Sequence, residues 1–412
     1  MKILVLNAGS SSQKSALYEL SNAPLTQPIQ PLWEAKIDWA HQQGVAEIDV
    51  KTPTATSRQE VSASDRSHVM SQMLETLWSG EPVIQSAHEI DAVGHRIVHG
   101  GEKYRDSVLI TPDVKAAIDD LSTFAPAHNP ANLEGIVVIE QILGTIPQVA
   151  VFDTAFHAHL PPESSVYPIP YEWYEKGIRR YGFHGISYQY CAHRAAQLLN
   201  CNLNDLKLIV CHIGNGASIA AIQNGHSIDT TMGFTPLEGL MMGSRSGSID
   251  PGILIHLIRH EGFSADQLDA LLNKQSGLKG LSGISADMRQ VQTAISAHRN
   301  ADGIEQSNSR AQLAWDVYIH RLRSGIGAML ASLQGADAIV FTAGIGENNA
   351  QLRSQVCAAF EFIGWKLDQE KNLSQPIDQD IALPDSTVRI LVIQTQEDWS
   401  IAQETQRIVS KR

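Results

Sequence analysis

Short apolar runs alternate along this chain with longer stretches of helical periodicity. Residues 3–6 form an apolar run that ends in Asn-Ala-Gly-Ser-Ser-Ser, and polar–apolar alternation resumes over 15–20. That pattern predicts a strand, a tight polar loop and a second strand. A similar passage begins at Leu208, 205 positions after Ile3: LIVCHI, GNGAS, IAAIQ, the turn Asn224-Gly225, and HSIDT. Recurrence at half the chain length predicts a duplicated strand–loop–strand unit, hence two similar lobes that each offer a small polar loop to a shared cleft. A third run at 338–341 leads into TAGIGENN and a helical pattern over 350–360. Strand, Gly-rich turn and helix start together make a ready anion or nucleotide contact.

Further helices are predicted over 187–199, 311–333 and 398–409, and another from Asn129, read as an N-cap with Pro130 at the first helical position. Residues 21–65 are rich in Gln, Pro and Thr and read as peripheral strands and loops. Strands alternating with helices place the chain in the α/β class, and 412 residues allow two or three domains.

Composition narrows the partners. With 31 basic against 44 acidic side chains the formal charge is −13, which argues against nucleic acid or an anionic membrane. Any site for anions must then concentrate positive charge locally. Cys191, Cys201, Cys211 and Cys357 show no CxxC spacing and read as buried thiols in a reducing compartment. The N-terminal apolar run is too short for a signal peptide, and no window approaches a membrane span. A cytoplasmic, soluble protein is expected.

No GK dipeptide occurs, so a P-loop is absent. Five segments nevertheless combine Gly or Ser with a charged or imidazole side chain: NAGSSSQK (7–14), GHRIVHGG (94–101), HIGNG (212–216), MGSRSG (242–247) and AGIGEN (343–348). Small residues let the backbone approach a ligand, and successive N–H groups cradle phosphate oxygens. Phosphoryl transfer needs charge neutralisation and alignment above all. Arg96 and Arg245 are each either bidentate anion ligands or surface ion-pair partners. Asp153, at the end of the apolar stretch 149–152, is either a structural cap or a metal or acid–base group. His184 and His212 adjoin Gly turns and are read as phosphoryl stabilisers, against the plainer alternative of core histidines.

With FDTAFH, RYGFHG, MGFTPLEGLMMGSRSG and DMR in order between these segments, the chain resembles the acetate and butyrate kinase family over nearly its whole length. That family belongs to the sugar kinase/heat-shock chaperone/actin superfamily. The resemblance implies two duplicated actin-like (RNase H-like) lobes with the active site in the cleft between them. One lobe would span 1–153, with the helix 398–412 packing back on it, and the other 154–397. It implies reversible, Mg²⁺-dependent, direct in-line phosphoryl transfer from ATP to acetate, giving acetyl phosphate and ADP, with Mn²⁺ as a possible substitute. It implies a homodimer as well. By motif match, Asp153, His184 and Arg245 are catalytic, and Arg96, Val98, Phe183 and Pro236 bind the acyl substrate. Lys14, His212, Ile213, Gly214, Asn215, Gly216, Asp287, Met288, Arg289, Gly344, Ile345, Gly346, Glu347 and Asn348 contact ATP, and Asn7 and Glu397 associate with the metal.

The chain departs from the family pattern at Ala127, where Leu is usual, at Ser248 and Gln290, where Asp is usual, and at Gln396, where Asn is usual. None is a matched catalytic position, but Ala127 bears on acyl-chain choice, so a propionate or other short-chain acid kinase stays open. An actin-like or chaperone-like ATP-driven switch is the alternative of another class. Acetate is already ionised at neutral pH, so no strong general base is required, and Asp153 is expected to orient metal or water.

Overall fold

The computed structural model describes residues 1–9, 12–21, 27–42, 44–63, 65–126, 128–302 and 310–411. Ala127 therefore lies outside the described residues, as do Ser10 and Ser11 of the first polar loop. Contacts divide the chain into two units, Met1–Ala158 with Gln396–Arg412, and His159–Thr395.

The first unit is built on a sheet of eight strands: β1 (Lys2–Ala8), β2 (Ser12–Glu19), β3 (Trp33–Gln42), β4 (Val45–Lys51), β5 (Thr56–Ser62), β6 (Ala92–Ile97), β7 (Val108–Leu109) and β8 (Gln148–Phe152), in the order β5-β4-β3-β2-β1-β6-β8-β7. Strands β1 to β5 form an antiparallel meander, and β6 and β8 continue from β1 in parallel. The second unit repeats the plan with β9 (Lys207–Ile213), β10 (Ala217–Gln223), β11 (His226–Thr230), β12 (Ala338–Thr342), β13 (Gln379–Asp380) and β14 (Arg389–Val392), in the order β11-β10-β9-β12-β14-β13. Here β9 pairs antiparallel with β10 and parallel with β12, as β1 pairs with β2 and β6. The duplication expected from the recurrent strand–loop–strand passage is therefore present at the level of topology.

Both sheets are covered on two faces, so their inner strands are apolar almost continuously. β1 and β9 each bury six successive residues after an opening lysine. The alternation expected over 15–20 gives way to the same effect: Ser15, Ala16, Leu17 and Tyr18 are all buried. The Asn224-Gly225 turn joins β10 to β11 with φ of 53° and 77°, the left-handed pair that a two-residue hairpin requires.

Helix Asn129–Leu143 starts where expected, but His128 occupies the N-cap position and Asn129 does not cap. Its amide is buried and serves the neighbouring strand end, accepting from His99 N at 3.1 Å and donating to His99 O at 3.2 Å. TAGIGENN is not an open turn: a short helix Ala343–Asn348 precedes helix Ala350–Ala358. Among the cysteines, Cys191, Cys211 and Cys357 are buried thiols outside any disulfide, whereas Cys201 is exposed, contrary to expectation. Among the described residues no helix is long and apolar enough to cross a membrane.

Candidate active site

In the first unit a guanidinium organises three strand ends. Arg96 on β6 donates through Nη2 to Asp153 Oδ2 at 2.8 Å and through Nη1 to Asn7 Oδ1 at 3.4 Å. Asp153 follows β8, is 1% exposed, and is held by its own N–H donating to Ile97 O at 2.9 Å. Burial works against the charge on Arg96, but the carboxylates of Asp153, Glu397 and Asp398 outweigh it and push the guanidinium above its ordinary range. Its Nε is buried without a hydrogen-bond partner. An unspent donor on a cation held in place by one carboxylate is suited to take an incoming anion.

Asn7 closes the group. Its Nδ2 donates to Asp398 Oδ1 at 2.8 Å and lies 3.4 Å from Glu397 Oε2, both in the first turn of helix Glu397–Val409. Acidic groups are favoured at that helix end. Burial pushes the Asp398 carboxyl upward, while Asn7 and Lys14 pull it down. Lys14, on β2 directly across from Asn7, is exposed. Asn7, Glu397 and Asp398 supply amide and carboxylate oxygens, a hard donor set that suits a small divalent cation. Asp398 was not singled out by sequence; its carboxylate is legible only once the helix start is seen against β1. Val98, 3% exposed, is fixed by its N–H donating to Asn132 Oδ1 at 3.1 Å.

In the second unit two imidazoles lie face to face. His184 and His212 stack with centroids 4.0 Å apart and planes 16° from parallel. Two imidazolium charges at about 4 Å would repel by roughly 4 kcal/mol at an effective dielectric of 20, so the stack disfavours charge on both rings at once. His184 has φ of 60° and stands immediately before helix Gly185–Leu199. Its Nδ1 is 2.8 Å from Ser218 Oγ, and His212 Nδ1 is 2.8 Å from Ser187 Oγ. Arg245 Nη1 donates to Pro236 O at 3.0 Å. A Cβ built on Gly216 would lie 3.5 Å from His184 Nε2 and 3.7 Å from Arg245 Nη1. Imidazole and guanidinium thus converge on the backbone of the HIGNG loop. That loop closes on itself through Gly214 N donating to Gly216 O at 3.0 Å. Ile213 is fully buried, whereas Asn215 is exposed. Phe183 is 1% exposed and Pro236 is partly exposed.

The remaining matched residues also fall in this unit. Asp287 accepts from Arg289 N at 2.9 Å at the start of helix Met288–Asp302 and pairs with the Arg289 guanidinium, whose hydrogen bond lowers the Asp287 carboxyl pKa. The Arg289 side chain is 89% exposed. Met288 is buried. In helix Ala343–Asn348, Ala343 has φ of 64°, Gly344 is exposed with open space where a Cβ would stand, and Ile345 is partly exposed. Gly346 is buried, and Asn348 Nδ2 donates back to Gly344 O at 2.9 Å. Glu347 accepts from Thr395 N at 3.0 Å; burial raises its carboxyl pKa against that bond.

Arg353 is a further residue that sequence did not single out. It is 1% exposed and donates to Asn372 Oδ1 at 2.8 Å, Gly346 O at 2.8 Å, Glu347 O at 2.7 Å and Asn372 O at 2.9 Å. Burial lowers its pKa to about 10. The cation sits against the carbonyl end of helix Ala343–Asn348, where the helix dipole favours it.

The five Gly/Ser segments now separate. In GHRIVHGG a Cβ on Gly94 would lie 2.2 Å from Thr405 Oγ1 of the C-terminal helix, and one on Gly100 would lie 2.8 Å from the Phe152 ring. In MGSRSG a Cβ on Gly243 would lie 2.3 Å from Asn215 Oδ1. At these positions the absent Cβ makes room for other parts of the protein. Gly344 alone of the glycines in the short helix has open space where a Cβ would stand, and a Cβ on Gly216 would only touch His184 and Arg245 at 3.5 and 3.7 Å.

A duplicated α/β chain of this topology, with a guanidinium and Gly-rich loops at the strand ends, belongs to the actin-like class of duplicated folds. The acetokinase family model matches residues 2–403. Acetate kinases of a Cyanothece species and of Nostoc punctiforme are 63% and 61% identical to the chain, each over 99% of it and over 98% and 100% of their own lengths. The crystal structure of Porphyromonas gingivalis acetate kinase is 40% identical with a TM-score of 0.88, and that of a propionate kinase from Francisella tularensis is 37% identical with the same score; each comparison covers 99% of both chains. The chain belongs to the acetokinase family.

Proposed function

We propose that the chain transfers the terminal phosphoryl group of ATP to acetate, reversibly, giving acetyl phosphate and ADP. The observation that carries this reading is the convergence of His184 Nε2 and Arg245 Nη1 on the Gly216 backbone, a preorganised set of donors for charge spread over equatorial phosphoryl oxygens. Arg96 holds the acetate carboxylate through the guanidinium that Asp153 keeps in place. The carboxylate attacks phosphorus in line, the bond to the bridging oxygen of ADP breaks, and no proton has to be removed from the nucleophile. Asp153 is then an orienting carboxylate. Val98, Phe183 and Pro236 line the acyl methyl site, and the loops 212–216, 287–289 and 344–348, with Lys14, hold the nucleotide.

A divalent cation, Mg²⁺ or in its place Mn²⁺, fits the oxygens of Asn7, Glu397 and Asp398, and when bound it neutralises charge on the ATP phosphates. A cytoplasmic setting and a homodimer complete the proposal. Helix Pro251–His260, PGILIHLIRH, supports the dimer: it buries no residue, and Ile253, Ile255 and Ile258 are 46%, 49% and 52% exposed. A helix with so broad an exposed apolar stripe is ordinarily covered.

Hydroxamate trapping of acyl phosphate over acetate, propionate and butyrate tests the reading. Acetate is expected to give the highest kcat/KM. Preference for propionate would support the second reading, to which the 37% identical propionate kinase structure lends weight. ATP hydrolysis with no acyl phosphate from any acid would leave only the nucleotide-driven switch.

A further inference from the structure

Beyond the two arginines and His184 itself, a chain of hydroxyl groups stands behind the imidazole. Ser218 Oγ on β10 is 2.8 Å from His184 Nδ1 and 2.5 Å from the Tyr188 hydroxyl. Both Ser218 and Tyr188 are fully buried, so bulk water does not compete for these bonds. Tyr188 stands one turn into the helix that His184 opens, and its backbone N–H donates to His184 O at 3.0 Å. The same turn of backbone thus fixes the histidine and the phenol that serves it. His184 is held at φ of 60°, a strained conformation for a residue with a Cβ, of the kind that persists where surroundings over-determine it.

We infer that Tyr188 and Ser218 are positioning residues that lock His184 as the Nε2–H tautomer, so that a neutral imidazole presents a donor toward the Gly216 loop. The serine hydroxyl has one proton to give, so the chain runs one way or the other along its length. A phenol is the more acidic hydroxyl and the poorer acceptor. The favoured direction is therefore Tyr188 O–H to Ser218 Oγ, then Ser218 O–H to His184 Nδ1. Nδ1 is then the acceptor and the ring proton sits on Nε2, the atom that faces Gly216 beside Arg245. A histidine's tautomer is set by the bond its other nitrogen makes. The stacked His212 supplies a reason for fixing a tautomer: two adjacent imidazoles disfavour carrying charge together, and a fixed Nε2–H tautomer lets His184 donate without a charge. Its own Nδ1 meets Ser187 Oγ, which is 2.9 Å from Thr395 Oγ1.

The inference rests on the reading of His184 as a phosphoryl stabiliser, and the two can fail separately. Nitrogen-15 NMR of the histidine-labelled full chain, assigned by a His184→Asn variant, reports the tautomer without any turnover. Wild type is expected to show a protonated Nε2 and a bare Nδ1 at His184 near neutral pH. Ser218→Ala is expected to erase that preference and lower kcat by about ten- to a hundredfold, within the cost of losing one preorganised donor, with both KM values changed less than about twofold. Ser218→Thr, which keeps a hydroxyl, should recover much of the rate, and Tyr188→Phe should weaken the preference with a smaller loss. A protonated Nδ1 in wild type would overturn the inference whether or not the variants fold. So would an unchanged tautomer in a folded Ser218→Ala or Tyr188→Phe. By contrast, His184→Asn turning over at the wild-type rate would remove the catalytic reading and leave the tautomer result standing.

Discussion

Arg96 and Arg245 have the same chemistry but different surroundings, and the difference predicts different kinetic signatures. Arg96 is committed to Asp153 at 2.8 Å and has one buried donor left, which suits ground-state binding of a carboxylate. Arg245 donates to Pro236 O at 3.0 Å and lies beside the Gly216 backbone, where the proposed mechanism puts the transferring phosphoryl group. Interactions made in both ground and transition state move KM, and those made only in the transition state move kcat. Arg96→Ala is expected to raise KM for acetate strongly with little change for ATP, and Arg245→Ala to lower kcat by about 10²-fold or more. Lys at 245 should rescue only in part, since an ammonium lacks the planar fork. Steady-state kinetics on variants shown by melting to be folded check this, and Arg245→Ala altering KM for acetate alone would refute it. Glu347 gives a second test. Its carboxyl pKa is raised from 4.5 by burial, so the folded state binds a proton where the unfolded chain has lost it, and stability falls as pH rises from about 4.5 through the folded pKa. Glu347→Gln removes that term. The melting temperature of the variant relative to wild type should therefore increase from pH 5 to pH 8, and a constant difference would contradict it.

At the scale of elements, two glycines that look alike in sequence predict opposite outcomes. Gly94 lies on β6 where the C-terminal helix packs, and an added Cβ would meet Thr405 Oγ1 at 2.2 Å and Ile401 Cγ2 at 2.7 Å. Overpacking of this kind costs about 1–3 kcal/mol or more, so Gly94→Ala should melt several degrees below wild type. Gly344 has open space around it and helical neighbours. Gly344→Ala should keep the melting temperature and raise KM for ATP with KM for acetate unchanged; calorimetry and kinetics on the pair decide. The contrast also shows what sequence can carry. Strands β1, β9 and β12 were legible because coverage on both faces makes them nearly unbroken apolar runs. The short helix at 343–348 was not, because two glycines mask its periodicity and its stabiliser, Arg353, acts from the next helix. The purpose of Gly94 was illegible for a different reason: its partner Thr405 is 311 positions away. Ser187, Ser218 and Thr395 carry no pattern at all, since a serine or threonine reads as a ligand-orienting group only when its neighbour in space is known.

For the molecule as a whole, charge and exposed surface bear on the proposed homodimer. Each chain carries −13, so association must avoid setting acidic surfaces against each other. Helix Pro251–His260 offers such a place: its ten residues include no acidic group and one formal cation, Arg259. Its isoleucines are about half exposed, and covering each contributes roughly 25 cal/mol per Å² of apolar area removed from water. A stable interface takes about 800 Å² from each partner. A ten-residue helix supplies only part of that, so further surface of the unit His159–Thr395 must join it. A mass of twice 45.0 kDa is accordingly expected from light scattering of the wild-type chain. Ile255→Asp with Ile258→Asp places two buried charges per copy at the contact, four where the helices meet, and should yield a folded species of half that mass. Circular dichroism must show that the double variant keeps its helix content. A wild-type mass of one chain, or a double variant that remains a dimer at micromolar concentration, would show that this helix is not the surface on which the copies pair.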